Sequence, residues 1–287
     1  MSQLALNAVV SGILLGGFYA CMALGISIAF GMLDVTNIAH PAFAVLAAFI
    51  AFKLNTMGVD VLLGCLLMLP LFYIAGRGTF RFYHAAFERH GEDAMRGLAF
   101  FFGLMFVIEI GLALTFGVDL RALRTDYTQG VFRFHDVIFP RRTLVCFAVS
   151  AVVFILLQLL LTKSFVGRAI LAGAQNPHAL RFMGINPTRI REIAFGISVA
   201  AAAVAGVLLL LVQPVEPFSG REYIGRVFAV CVLGGLGSIP GTFLAAIILG
   251  VCESVVSTFF GPSWSPAAAF GILLATLAFK PSGLFGK

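Results

Sequence analysis

Asn37 and His40 stand three residues apart in FGMLDVTNIAHPAF, Phe30 to Phe43. On a helix that spacing puts both side chains on one face, where an amide and an imidazole could line a polar path or latch two helices together. The same residues could instead cap a break in the chain and satisfy the backbone groups freed there. Gly31, Asp34 and Pro41 crowd the same segment and predict such a break. No second His, Cys or carboxylate follows at ligand spacing, so the pair does not read as a metal site. A second stretch, VLGGLGSIPG, holds Gly234, Gly235, Gly237, Pro240 and Gly241. It lacks the Gly-Lys-Ser/Thr ending of a phosphate loop and predicts an interrupted helix instead. Ala245, Ala246 and Gly250 beyond it let helices approach closely. Glu109 and Glu253 are the carboxylates set deepest in apolar sequence. Carboxylates so placed are costly in a membrane; they either couple ions or hold helices together, and the second role is the expectation here.

Other chemistry is missing from the sequence. Cys21, Cys65, Cys146, Cys231 and Cys252 are scattered singly, without metal or redox spacing, and read as small buried hydrophobes. There is no Ser-His-Asp set and no nucleotide-binding motif. The chain can shape a path, but energy must come from a partner or a gradient. A membrane-embedded enzyme is set aside on the same ground, and no cofactor is implied.

The elements that must position these groups are membrane helices. Of 287 residues 60% are apolar and 11% charged, with a mean hydropathy of +1.03. Soluble domains carry about 25% charge, so composition alone marks an integral membrane protein. Apolar runs lie at about 4–30, 41–56, 59–76, 97–117, 143–162, 192–212, 224–258 and 265–279. They are long and continuous, which selects helices over the short alternating segments of a barrel, and no strand signal is evident. The expectation is an all-α, polytopic transmembrane helical bundle of about eight spans or apolar segments, including broken or re-entrant helices. The first run has no basic region before it and no cleavage site after it, and reads as a span. Basic residues gather in the loops, a pattern of membrane topology and lipid contact that implies no nucleic-acid partner. The loops 77–96, 118–142 and 163–191 are all basic, so the positive-inside rule alone does not orient the chain. If 163–191 is cytoplasmic, 118–142 lies outside and 77–96 inside. Splitting 224–258 into two pieces near Gly237 then places the basic tail, with Lys280 and Lys287, inside. Two interrupted helices, one near each end, are the pattern of a translocation pathway in duplicated transporters, although the halves show no clear sequence identity.

One loop stands apart. Lys163 to Arg191 reads KSFVGRAILAGAQNPHALRFMGINPTRIR, basic and helix-prone between two spans. Ala169 to Ala174 favour a short surface helix. Asn176-Pro177 opens a second, Gly184 ends it, and Asn186-Pro187 starts the next span. A short helix rigidly joined to two spans is a handle that another protein can push.

Its core, GRAILAGAQNPHALRFMGIN, resembles the cytoplasmic loop of permease subunits of bacterial branched-chain amino acid ABC importers, the LivH type. Phe30 to Phe43 resembles the family's "FG…NFAHGEF", and Val232 to Ser254 its "LGGxGSxxGxxxGxxxLGxxE". KPSGLFG, Lys280 to Gly286, resembles the terminal "RPxGLFG". Pro41 stands where the family usually has glycine, and Glu88 to Arg96 lacks the usual "RPLR". The resemblance runs from about Gly12 to the C-terminus.

The resemblance implies a single permease domain over 1–287, with a cytoplasmic coupling loop at 163–191, multi-pass in the bacterial inner (cytoplasmic) membrane. It implies transport of branched-chain or related amino acids with two cytoplasmic ATPase subunits and a periplasmic substrate-binding protein. A second permease of the same family, or a second copy of this chain, would complete the pair. Asn37, His40, Gly234, Gly235 and Gly237 are then candidates for the substrate path. Gly173, Gln175, Asn176, His178, Ala179, Met183 and Gly184 are candidates for contact with the ATPase. The alternative is an ATPase-independent secondary transporter or channel for a small polar solute, with Glu109, Glu253, Asp34 or His40 coupling ions.

Overall fold

A computed structural model describes residues 2–87, 94–125, 128–134, 137–280 and 282–286. Its helices are α1 (Ser2–Leu33), α2 (His40–Thr56), α3 (Val61–Ala86), α4 (Ala94–Phe116), α5 (Arg141–Lys163), α6 (Phe165–Gln175), α7 (Pro177–Phe182), α8 (Pro187–Val212), α9 (Arg221–Gly234), α10 (Ile239–Phe260) and α11 (Ser265–Phe279). Among the described residues, seven helical segments are long and apolar enough to cross a membrane. α2, with 17 residues, and α9, with 14, fall short of the roughly 20 that a full span needs, and α11, with 15, approaches it only together with the 3-10 turn Pro262–Trp264 before it.

α1 and α8 form the buried centre, with most of their surface covered by protein. A helix covered all round is apolar all round, as both are over their central stretches. They run antiparallel: the Ser198 hydroxyl donates to the Gly25 carbonyl at 2.7 Å, and the Arg191 guanidinium donates to the Leu33 carbonyl at 3.0 Å. α10 lies antiparallel along α1. There Gly12 and Gly16, four apart, face Gly250 so closely that a Cβ at Gly12 would stand 2.8 Å from the Gly250 carbonyl oxygen. Small residues at that spacing substitute close van der Waals contact for the missing hydrophobic drive between helices in lipid.

The packing is reciprocal. α10 covers α1 much as α3 covers α8, and α9 and α11 meet as α2 and α4 do. Because α1 and α8 point opposite ways, α1–α4 and α8–α11 are two inverted halves. The duplication that sequence identity does not reveal is thus present in the arrangement. The apolar run at 224–258 is broken, as its glycines predict, into α9 and α10, which pack antiparallel through Arg226 with Glu253 and Gly234 with Gly241.

One end of the bundle gathers the C-terminus of α1, the helices α6 and α7, the α9–α10 turn and the tail, whose Leu284 amide donates to the Leu233 carbonyl. The tail therefore lies on the side of the 163–191 loop. The opposite end carries a feature the sequence reading missed, an antiparallel hairpin of β1 (Val131–Phe134) and β2 (Val137–Pro140). Strands of four residues are too short to register as alternation against a helical background. The Ile138 amide donates to the Asn7 side chain at 3.1 Å, and an isolated bridge joins Arg121 to Val215. Most of the Glu88 to Arg96 departure, residues 88–93, lies outside the described residues.

Candidate functional site

The chain leaves α1 at Leu33 and turns at Asp34, the only non-glycine among the described residues with positive φ, 55°. It then runs without helix to His40. Asn37 and His40 are both fully buried. Neither side chain caps α2, whose N-cap is Ala39 without a side-chain bond. Among the described residues neither amide atom of Asn37 and neither ring nitrogen of His40 has a hydrogen-bond partner, although the imidazole faces the Met22 carbonyl. The ring rests against Gly25, where a Cβ would overlap it, beside the Ser198–Gly25 bond. Buried amide and imidazole atoms are ordinarily paired, so this junction is polar without being satisfied by the fold.

The second break closes against the first. Gly235 and Gly237 take φ of 91° and 80°, a backbone that favours glycine, and Ser238 caps α10 through the Gly241 amide. A Cβ on Gly31 would overlap the Gly237 nitrogen, so the end of α1 seats directly on the turn. Gly234 packs on Gly241, and Gly235 on Gly286 of the tail. Gly234, Gly235 and Gly237 thus join one junction with Gly31, six residues before Asn37.

Three carboxylates tie the helices together. Glu109 of α4 receives a two-pronged contact from Arg221 of α9, closest at 2.6 Å, with Phe106 and Phe218 against the guanidinium. Glu253 of α10 is met by Arg226 at 3.0 Å, by the Tyr19 hydroxyl at 2.5 Å and by Ser265 at 3.0 Å. Glu192 of α8 holds Arg77 and Arg81 of α3 at 2.7 and 2.8 Å. Glu109 and Glu253 are each 1% exposed, and buried charges of this kind persist only when paired and hydrogen-bonded. Both therefore take the helix-to-helix role. No group of three His, Cys, Asp or Glu among the described residues could hold a metal ion.

At the other functional segment, Ser164 caps α6 by accepting from the Gly167 amide, and Gly167 lets α6 fold back against Leu160 and Leu161 of α5. Asn176 caps α7 through the His178 amide at 3.0 Å. Leu180 turns inward over Gly173, and Gly184, at φ 74°, stops the helix. Asn186 then caps α8 through the Thr188 and Arg189 amides. Gln175, Asn176, His178, Met183 and Gly184 are exposed, and Gly173 is half-buried; Ala179 lies in α7, with its side chain outside the described residues. A cavity of about 730 Å³ separates these helices from the ends of α1, α3 and α4, with Asp34, Tyr83, Arg96, His178 and Arg191 among its walls.

The model of the family described as branched-chain amino acid transport system / permease component matches residues 8–277. The chain belongs to that family. It is 30% identical to the high-affinity branched-chain amino acid transport system permease protein BraD of Pseudomonas aeruginosa, over 98% of this chain and 96% of that protein. It is 29% identical, with the same coverage, to the corresponding permease protein LivH of Escherichia coli K12. The fold resembles that of PsaBC from Streptococcus pneumoniae in complex with Fab, with a TM-score of 0.51 at 11% identity over 98% of this chain and 93% of that one.

For a member of this permease family, two features of this chain escape a reading of sequence. One is Phe182, 92% exposed at the tip of α7 beside Met183, the contact candidate already named, at 72%. The signal for Phe182 was present in LRFM, because a residue two beyond an inward Leu180 points to another side of the helix, while Met183 lies past the end of α7. The partners of the intramembrane carboxylates, Arg221 and Arg226, were also missed, since one sits in a loop by hydropathy and the other inside an apolar run.

Proposed function

We propose that this chain is the permease subunit of an ATP-driven importer that moves branched-chain or related amino acids across the bacterial inner membrane into the cytoplasm. Two ATPase subunits would bind on the 163–191 side, and a periplasmic binding protein would deliver substrate at the hairpin side. The observation that carries this reading is the α6–α7 segment. It is rigidly capped at each end, joined to α5 and α8, and tipped by exposed Phe182 and Met183, which water alone would not favour. Apolar residues at the centre of a polar rim are how a protein partner is held, and Gln175, Asn176 and His178 supply the rim. The 163–191 segment is then the coupling element of one transmembrane domain, with Gly173, Ala179 and Gly184 completing the surface.

In this reading the two breaks flank the route. Asn37 and His40 offer polar atoms that the fold leaves free, and the Gly234, Gly235 and Gly237 turn gives α1 a joint on which the halves can rock. Glu109 and Glu253, two of the groups that ion coupling would draw on, are instead spent on arginines. The test is co-expression with candidate ATPases and binding protein, followed by purification and reconstitution. Leucine uptake that requires both ATP and the ATPase subunits is the expected result. Uptake by the purified chain alone in liposomes would overturn it.

A further inference from the structure

The first turn of α9 lies about midway along the bundle. Tyr223 packs edge-on against Phe18 and lies beside Tyr19 of α1, with centroids 5.4 and 6.5 Å apart. Tyr19 is twelve residues from Asn7, which meets the hairpin, and twelve from Gly31, which meets the α9–α10 turn. At about 1.5 Å per residue that is roughly 18 Å from either end of the bundle. Next to Tyr223, Glu222 is exposed on the surface of the chain. Its backbone carbonyl accepts from Arg226, but its carboxylate has no partner among the described residues.

The neighbouring charges do not balance it. Arg221 is matched by Glu109, and Arg226 by Glu253, so each pair is neutral and Glu222 leaves one negative charge over. Hydrocarbon at that depth cannot receive a carboxylate; such a group faces water or protein. The adjoining Arg221 side chain is itself 44% exposed.

Resting on the importer reading above, we infer that Glu222 lines the water-filled path at mid-depth and receives the ammonium group of a zwitterionic amino acid on its way through. The carboxylate supplies a single charged acceptor. It therefore recognises what all amino acids share and leaves selection among them to other components.

The assay uses the full complex, with ATPases and binding protein, in proteoliposomes and L-leucine as probe. Glu222→Gln is expected to lower ATP-dependent leucine uptake at least tenfold, while ATP hydrolysis stimulated by the loaded binding protein persists. Glu222→Asp restores most of the uptake. In parallel, a thiol placed by Glu222→Cys is expected to react with a membrane-impermeant cationic methanethiosulfonate, and leucine-loaded binding protein to slow that reaction. Uptake unchanged in Glu222→Gln, or a thiol reached only by a lipid-soluble maleimide or by neither reagent, would overturn the inference and place residue 222 against lipid or a partner permease. Failure of the unaltered chain to assemble with ATPases would instead sink the importer reading, so the two failures are distinct.

Discussion

Replacing Phe182 with alanine removes a ring that the chain itself hardly touches. At 92% exposure nearly all of its apolar surface is available to a partner. Fully covering a phenylalanine is worth about 1.5–3 kcal/mol, and almost the whole of that is at stake here. At 1.4 kcal/mol per decade the permease–ATPase affinity is expected to weaken about tenfold to a hundredfold. The isolated permease keeps its stability, since no intramolecular packing is lost. Leu180→Ala supplies the contrast. Leu180 is 2% exposed and seated on Gly173, so its truncation costs about 2–5 kcal/mol of folding free energy and loosens α7 itself. The assay is titration of purified ATPase onto permease held in nanodiscs, with unfolding followed separately in mixed micelles. An affinity within twofold of the unaltered protein for Phe182→Ala would refute the docking argument. The ring would then be an anchor in the lipid headgroups.

The remaining predictions concern the junctions inside the bundle. Gly31→Ala drives a methyl into the Gly237 backbone and is expected to cost about 1–3 kcal/mol or more in unfolding experiments, whereas Gly103→Ala, with nothing within 4 Å, is expected to stabilise α4 by about 0.5–1 kcal/mol. Tyr19→Phe deletes one of three partners of Glu253; bonds to charged groups are worth about 1.5–3 kcal/mol, but Arg226 and Ser265 remain, so a loss of about 1–2 kcal/mol is expected from equilibrium unfolding. Asn37→Leu is expected to leave membrane assembly intact and to reduce ATP-dependent leucine uptake in the reconstituted complex; unchanged uptake would assign Asn37 to packing alone.

What could be read ahead of the coordinates follows from how local each signal is. The α9–α10 break was legible because glycine and proline act on their own backbone within a few residues. The caps at Asn176 and Asn186 and the stop at Gly184 were legible for the same reason. The ion pairs were not. Arg221 meets Glu109 across 112 positions, and Glu192 meets Arg77 across 115, distances at which sequence carries no pairing rule. Hydropathy found Glu109 and Glu253 because they interrupt apolar runs, yet it gave no hint that each had an arginine, and it passed over Glu192. Around Asn37 and His40 the glycine, aspartate and proline marked the break, but the helical spacing does not apply, because Asn37 precedes α2 and only His40 lies in it. That neither would cap α2 depends on Ala39 taking the cap position, which only the folded backbone decides.

The packing of α1 on α10 sets a schedule for biogenesis. Gly12 waits for Gly250, a separation of 238 residues that at synthesis rates of about 5–20 residues per second lasts on the order of ten to fifty seconds. Through that interval the Gly12–Gly16 strip, and the Tyr19 hydroxyl that ends on Glu253, sit in lipid or against a holding partner. α8 arrives before α10, so α1 can find its antiparallel neighbour first and leave the C-terminal half to close over it. A chain halted after α8 would carry the bundle's centre without its lid. Such a fragment is a natural target for membrane proteolysis, and survival of the nascent permease would depend as much on uninterrupted translation as on the strength of any contact in the finished fold.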